Sequence, residues 1–344
     1  MVFMKKKSTP SLKIAAAKIL LTTLLAFSSS VIFSQDFHLS QYDAPPLNLN
    51  PAMTGMFDGY YRLHGHYRSQ WAAVATKPFT TAGISFDMPV KKFGVGGQIM
   101  NFRAGAGGYN ALSILLSGAY DLVFDKASNH HLAAGVQGGM IQKSVNTDRL
   151  TFGNQYSNTP GGGFDTGLPS GEVFSNTNFV LANFNAGFIY YYAKEGGRFN
   201  PFAGFSANNI TQPNETFFGK TNKLPIRYTI HGGTKINVNE KIQLLPKFLY
   251  LKQTNANELT VSLLLHYYLQ GSDSYLIVGP TFRNKDAAIA EIGLKKGKYI
   301  CRISYDFNTS SLKTISNYRG GFEMSLTYIP TKGKPNPLAN CPRL

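Results

Sequence analysis

From Asn110 to Phe124 the chain alternates with a period of two. Leu112, Ile114, Leu116, Tyr120, Leu122 and Phe124 fill the even positions, with Ser113, Ser117 and Asp121 among the odd ones. Successive side chains of a strand point to opposite faces, so this is a strand with one greasy and one wetter face. Its length suits a tilted, membrane-crossing strand better than the 5–6 residues common in soluble sheets. The pattern recurs. Tyr61, Leu63 and Tyr67 alternate with Arg62, His64, His66 and Arg68; Tyr228 and Ile230 alternate with Arg227, Thr229 and His231. Ile292 and Leu294 alternate with Glu291 and Lys295, Ile303 and Tyr305 with Arg302 and Asp306, and Phe322 and Met324 with Glu323. A two-sheet sandwich also alternates, so further evidence has to separate it from a membrane barrel.

Connection lengths supply that evidence. The alternation predicts fourteen strands: 60–68, 80–88, 93–103, 110–124, 131–145, 179–193, 199–210, 226–237, 242–253, 258–268, 275–283, 287–295, 299–308 and 320–328. The connections after even-numbered strands are all short. The long ones, 69–79, 146–178, 211–225 and 309–319, all follow odd-numbered strands. Short turns on one side and long loops on the other are how outer-membrane barrels are built. Tyr61, Phe124, Tyr192, Phe199, Tyr267, Tyr299 and Tyr328 gather at the turn side, the depth that interfacial aromatics prefer. The expected fold is therefore an all-β, transmembrane outer-membrane antiparallel barrel, with long extracellular loops and short periplasmic turns. The charged fraction of 15% agrees, being well under the soluble average of about 25%.

Four regions follow. Residues 1–34 read as a cleaved secretory signal: Lys5, Lys6, Lys7, Lys13 and Lys18, then an uncharged run from Ile19 to Phe33, then Ser34. That run is short for a spanning helix, which needs about 20 residues. Its removal takes the net charge from +16 to +11. Residues 35–58 hold Pro45, Pro46 and Pro51 and no alternation, so they form a periplasmic leader or, through Asn48, Asn50 and Pro51, a plug in the barrel. Residues 59–328 are the barrel, and 329–344 a periplasmic tail. Cys301 and Cys341 either pair or stay free; two cysteines exclude a disulfide scaffold.

The catalytic inventory is thin. His64 and His66 share a strand face, but two ligands are not a metal site. Gly94, Gly96 and Gly97 mimic a dinucleotide fingerprint without the helix it requires. No Gly-x-Ser-x-Gly element occurs. The reading is a non-enzyme without cofactor, metal or nucleic-acid partner. The inward-parity residues Arg62, His64, His66, Arg68, Arg227, His231, Glu291, Lys295, Arg302, Asp306 and Glu323 would form a polar lumen network or line an anion-attracting channel.

The segment from Gln35 to Tyr42, followed by Asn50-Pro51-Ala52-Met53-Thr54-Gly55, resembles the start of the PorP/SprF family of outer-membrane proteins. Further matches lie at Tyr67-Arg68-Ser69-Gln70-Trp71, Tyr305-Asp306-Phe307-Asn308, and Gly320 to Tyr328, and in the tail Cys341-Pro342-Arg343-Leu344. The tail ends on Leu where an aromatic is common in the family. The resemblance implies an accessory barrel of the type IX secretion system, embedded among bilayer lipid and lipopolysaccharide. Its partner would be the secretion machinery or a large secreted surface protein such as a gliding adhesin. Trp71, Phe217 and Phe218 are the candidate contacts on the outer face, and Cys341, Pro342 and Arg343 those on the periplasmic face. A passive porin-like or lipid-uptake channel is the alternative.

Overall fold

The computed structural model describes residues 37–75, 77–105, 107–125, 129–158, 161–194 and 196–330. The predicted signal segment lies outside these residues, as do Cys341, Pro342 and Arg343.

The chain forms β1 (Arg62–Gln70), β2 (Phe79–Val90), β3 (Phe93–Ala104), β4 (Tyr109–Val123), β5 (His130–Ser144), β6 (Tyr156–Ser157), β7 (Gly163–Phe164) and β8 (Asn178–Tyr192). It continues with β9 (Phe199–Asn208), β10 (Arg227–Asn237), β11 (Ile242–Gln253), β12 (Ala256–Leu269), β13 (Ser274–Arg283), β14 (Ala287–Lys296), β15 (Tyr299–Asn308) and β16 (Arg319–Tyr328). All but the small β6–β7 hairpin make one closed antiparallel sheet of fourteen strands, each paired with its neighbours in sequence. β1 closes on β16 in the register Leu63↔Tyr328 to Gln70↔Gly321. Among the described residues, no helix is long and apolar enough to cross a membrane.

Every expected strand is present, with ends shifted by no more than two residues. Even the strands interrupted by proline form, because each proline faces a gap in a ladder. β9 pairs with β8 only from Phe202 onward, so Pro201 owes no N–H on that side. The β12–β13 register breaks between Ser262 and Leu265, opposite Pro280. The long connections, 145–177, 209–226, 309–318 and 71–78, share one end of the barrel. At the other end every connection is short, among them the two-residue turn at Gly297, which takes a φ of 53°.

The burial pattern is that of a soluble protein turned inside out. Ile84 (63% exposed), Leu116 (72%) and Ile292 (55%) face outward, whereas Arg62, Arg68, Arg283 and Glu323 are buried. A soluble sandwich would bury the apolar set instead. The reversed pattern is stable only if hydrocarbon replaces water outside, and there a closed sheet leaves no backbone group unpaired. In urea titrations of folding into lipid vesicles, Leu116→Arg on the outer wall should cost about 2–4 kcal/mol, the range for a basic residue near the bilayer midplane. Unchanged stability would contradict a lipid-facing wall.

Candidate functional site

The segment ahead of β1 folds inside the barrel. It has no partner strand, so its backbone groups must be satisfied locally or by the lumen wall. Pro46–Leu49 makes a single helical turn and Pro51–Met53 a 3-10 turn, each with proline at the start, where no N–H is needed. Between them Asn50 caps the second turn through a bond from Ala52 N (3.0 Å). Its Nδ2 donates to Phe188 O (3.0 Å) and Phe205 O (3.2 Å), and lies 3.1 Å from His231 Nε2. Leu49, Ala52, Met53 and Met56 pack with Ala133, Ile189, Tyr191 and Phe202 of the wall. The close approach depends on Gly135, where a Cβ would come within 2.5 Å of the backbone at Pro51 and Ala52. Gly94 lies tighter still beneath Thr54, where a Cβ would come within 1.9 Å of the Thr54 carbonyl oxygen.

Charge then ties this leader to the wall at three levels. Near the turn end, Asp87 accepts from Arg62 Nη2 (2.7 Å) and from Gly55 N (2.7 Å). Midway, the leader's Asp43 faces Arg302 (2.9 Å) and Lys247 (2.5 Å), while Glu291 accepts from Arg302 Nε (2.6 Å). Nearer the loops, Glu323 accepts from Ser40 N (2.8 Å), Gln41 N (2.6 Å) and Arg68 Nη1 (2.6 Å). Asp306 there accepts from Ser40 Oγ (2.6 Å), and from Arg68 and Arg283 at 2.8 Å each. Removing one partner from such a buried group strands a charge, which is far costlier than the pair's net worth. Asp43 belongs to the leader rather than to a strand. Burial pushes its carboxyl up, but Arg302 and Lys247 outweigh this and hold it well below the usual carboxylate range.

Of the residues expected in the lumen, Arg62, Arg68, Glu291, Arg302, Asp306 and Glu323 sit in these clusters. His66 Nε2 lies 3.3 Å from Glu323, and His64 Nδ1 lies 2.8 Å from Thr327 Oγ1. His231 meets Asn50 instead of a charge, and Arg227 is half-buried near the loop end of β10. Lys295, one residue from the end of β14, is the exposed member of the set, with Nζ 5.8 Å from the Tyr275 ring centroid. Sequence reasoning missed Ser40, Gln41, Asp43, Lys247 and Arg283. The last two were findable, since both share the inward parity of their strands.

At the loop end the leader enters a chain of aromatic contacts. Trp71 meets Phe79 (4.8 Å between centroids), Phe79 meets Phe102 (6.1 Å), and Phe102 meets both Phe37 (5.6 Å) and Tyr109 (6.2 Å). Tyr109 continues to Phe217 (6.3 Å), which meets Phe179 (4.9 Å). Trp71 and Phe217 are thus half-buried members of one intramolecular ladder. Phe218 is different: it leans on Phe174 (4.9 Å) and stays 51% exposed. The leader therefore runs from this mouth, at Phe37, to the turn end, where Tyr60 N donates to Pro330 O (2.9 Å).

Residues 31–328 match the family described as type IX secretion system membrane protein PorP/SprF. The chain belongs to the PorP/SprF family. Among curated proteins no sequence matches it. Solved structures similar to this PorP/SprF chain include the Ralstonia pickettii toluene transporter TbuX, at 10% identity and a TM-score of 0.50, over 82% of this chain and 92% of that one. The Pseudomonas putida toluene transporter TodX aligns at 9% identity and a TM-score of 0.50, over 86% and 94%. A mutant of the TodX monoaromatic hydrocarbon channel gives 9% and 0.51, over 82% and 93%. At such identities these likenesses establish the barrel fold alone.

The leader predicts its own test. Asp43→Ala leaves Lys247 and Arg302 short of a partner, a loss of about 3–5 kcal/mol for a broken buried pair. Chymotrypsin should then cut near Tyr42 and Leu47 far faster than in the parent, while the barrel keeps its heat-dependent gel shift. Equal resistance in both chains would contradict the assignment.

Proposed function

We propose that this PorP/SprF chain is an accessory docking barrel of the type IX pathway. It binds a large secreted surface protein at its long-loop face and delivers or anchors it there, without conducting through its lumen. The observation that carries this reading is the occupied lumen: a leader bonded to the wall at three levels favours a platform over a pore. The loop face offers the partner an exposed aromatic, Phe218, beside a mouth stiffened by Trp71 and Phe217. Exposed aromatics in such settings are the usual anchors of an interface. Cys341, Pro342 and Arg343 would meet the secretion machinery on the opposite side, a reading that rests on the family resemblance. Bilayer lipid and lipopolysaccharide form the surroundings, and the chain has no catalytic role.

A channel is the second reading, because the similar structures are a toluene transporter and a hydrocarbon channel. Planar-bilayer recording separates the two. The intact chain should be nearly silent, and a chain lacking residues 37–57 should conduct. Steady conductance from the intact chain, unchanged by the deletion, would favour the channel. Gentle extraction from native membranes should bring a large secreted protein down with the barrel, and Phe218→Ala should reduce its recovery several-fold. A barrel that always comes down alone would overturn the platform.

A further inference from the structure

The turn end carries a repeated device that neither docking nor the filled lumen uses. Three strands that rise from this end, β3, β9 and β15, begin with an outward aromatic directly preceded by a base: Lys92-Phe93, Arg198-Phe199 and Lys298-Tyr299. The three rings are 58%, 54% and 55% exposed. The Arg198 guanidinium lies 5.5 Å from the centroid of its Phe199 ring. Lys91, Lys194, Lys241 and Lys296 add exposed cations at the same end of the barrel. Among the described residues, none of these seven bases forms an ion pair with a carboxylate, in contrast to Arg62, Arg68, Arg283, Arg302 and Lys247 in the lumen. Two of the nearby acids are already engaged: Asp125 accepts from the backbone at Asn129 and His130, and Asp273 accepts from Tyr268.

We infer that this rim is a binding ring for anionic phospholipid headgroups in the leaflet at the turn end. An exposed ring at the start of a strand sits at the interface between hydrocarbon and headgroup. The preceding base lies one residue farther out, about 3.3 Å along the strand, level with the phosphates. Cations held there without protein partners attract negative lipid. The pairs recur around the circumference rather than in one patch, which fits a leaflet that surrounds the barrel better than a single acidic protein.

The full chain is placed in nanodiscs of equal parts phosphatidylglycerol and phosphatidylcholine, stripped with mild detergent, and the retained lipid is weighed by mass spectrometry. The parent should keep phosphatidylglycerol several-fold over phosphatidylcholine. The preference should fall toward parity in about 1 M salt, where screening acts within about 3 Å. The combined Lys92→Gln, Arg198→Gln and Lys298→Gln chain should also lose it. A chain with Lys92→Arg and Lys298→Arg should keep it, which separates lost charge from damaged folding. Retention in the proportion supplied, or an unaltered preference in the Gln chain, overturns the ring. Displacement of the lipid by inorganic phosphate would make free phosphate the occupant and overturn the lipid assignment.

Discussion

Hydrocarbon offers a backbone no hydrogen bonds, and this constraint sets every later feature of the protein. Strands can cross it only if the sheet closes, and closure of fourteen strands creates an interior that must be filled or flooded. The inward parity of the strands places arginines and carboxylates in that interior. They need partners in a confined space, and the strands alone do not supply all of them. Arg302 and Lys247 have Glu291 beside them and draw on Asp43 of the leader as well. Glu323 and Asp87, already paired with arginines, also accept from leader N–H groups. The leader and the wall thus satisfy each other: each holds polar groups that would be stranded without the other.

This exchange also links the lumen to the outer face. The leader ends at the loop side in the ring of Phe37, stacked on Phe102, which belongs to the same ladder as Trp71, Tyr109 and Phe217. Under the docking proposal such bracing would lower the cost of binding, because loops of this length are otherwise costly to order.

Much of the barrel was legible because its signals are local. A period of two, punctuated by turn residues, marks each strand within a dozen residues, and the contrast between 297–298 and 145–177 gives the two ends. The leader's path was not legible. Ser40 bonds to Asp306 and Glu323 across more than 260 residues of sequence, and no periodicity encodes such a pairing. The clue available was chemical: too many inward bases for the inward acids, and an isolated Asp43 among prolines. Lys295 shows the limit of parity, which fixes a face but not how exposed a side chain near a strand end will be. Trp71 and Phe217 stand in the sequence, with Phe218, as separate candidate contacts of the outer face, and only the closed structure shows the first two joined through Phe79, Phe102 and Tyr109.

The account rests on a leader folded within the lumen, and amide hydrogen exchange of the intact chain in lipid tests that most directly. The amides of Ser40, Gln41, Asn50, Ala52, Met53, Thr54 and Gly55 all donate within the leader or to the wall. They should exchange as slowly as amides of the barrel strands. Exchange of that segment within seconds, at the pace of the exposed loop 145–177, would mean that the lumen is not filled in this way.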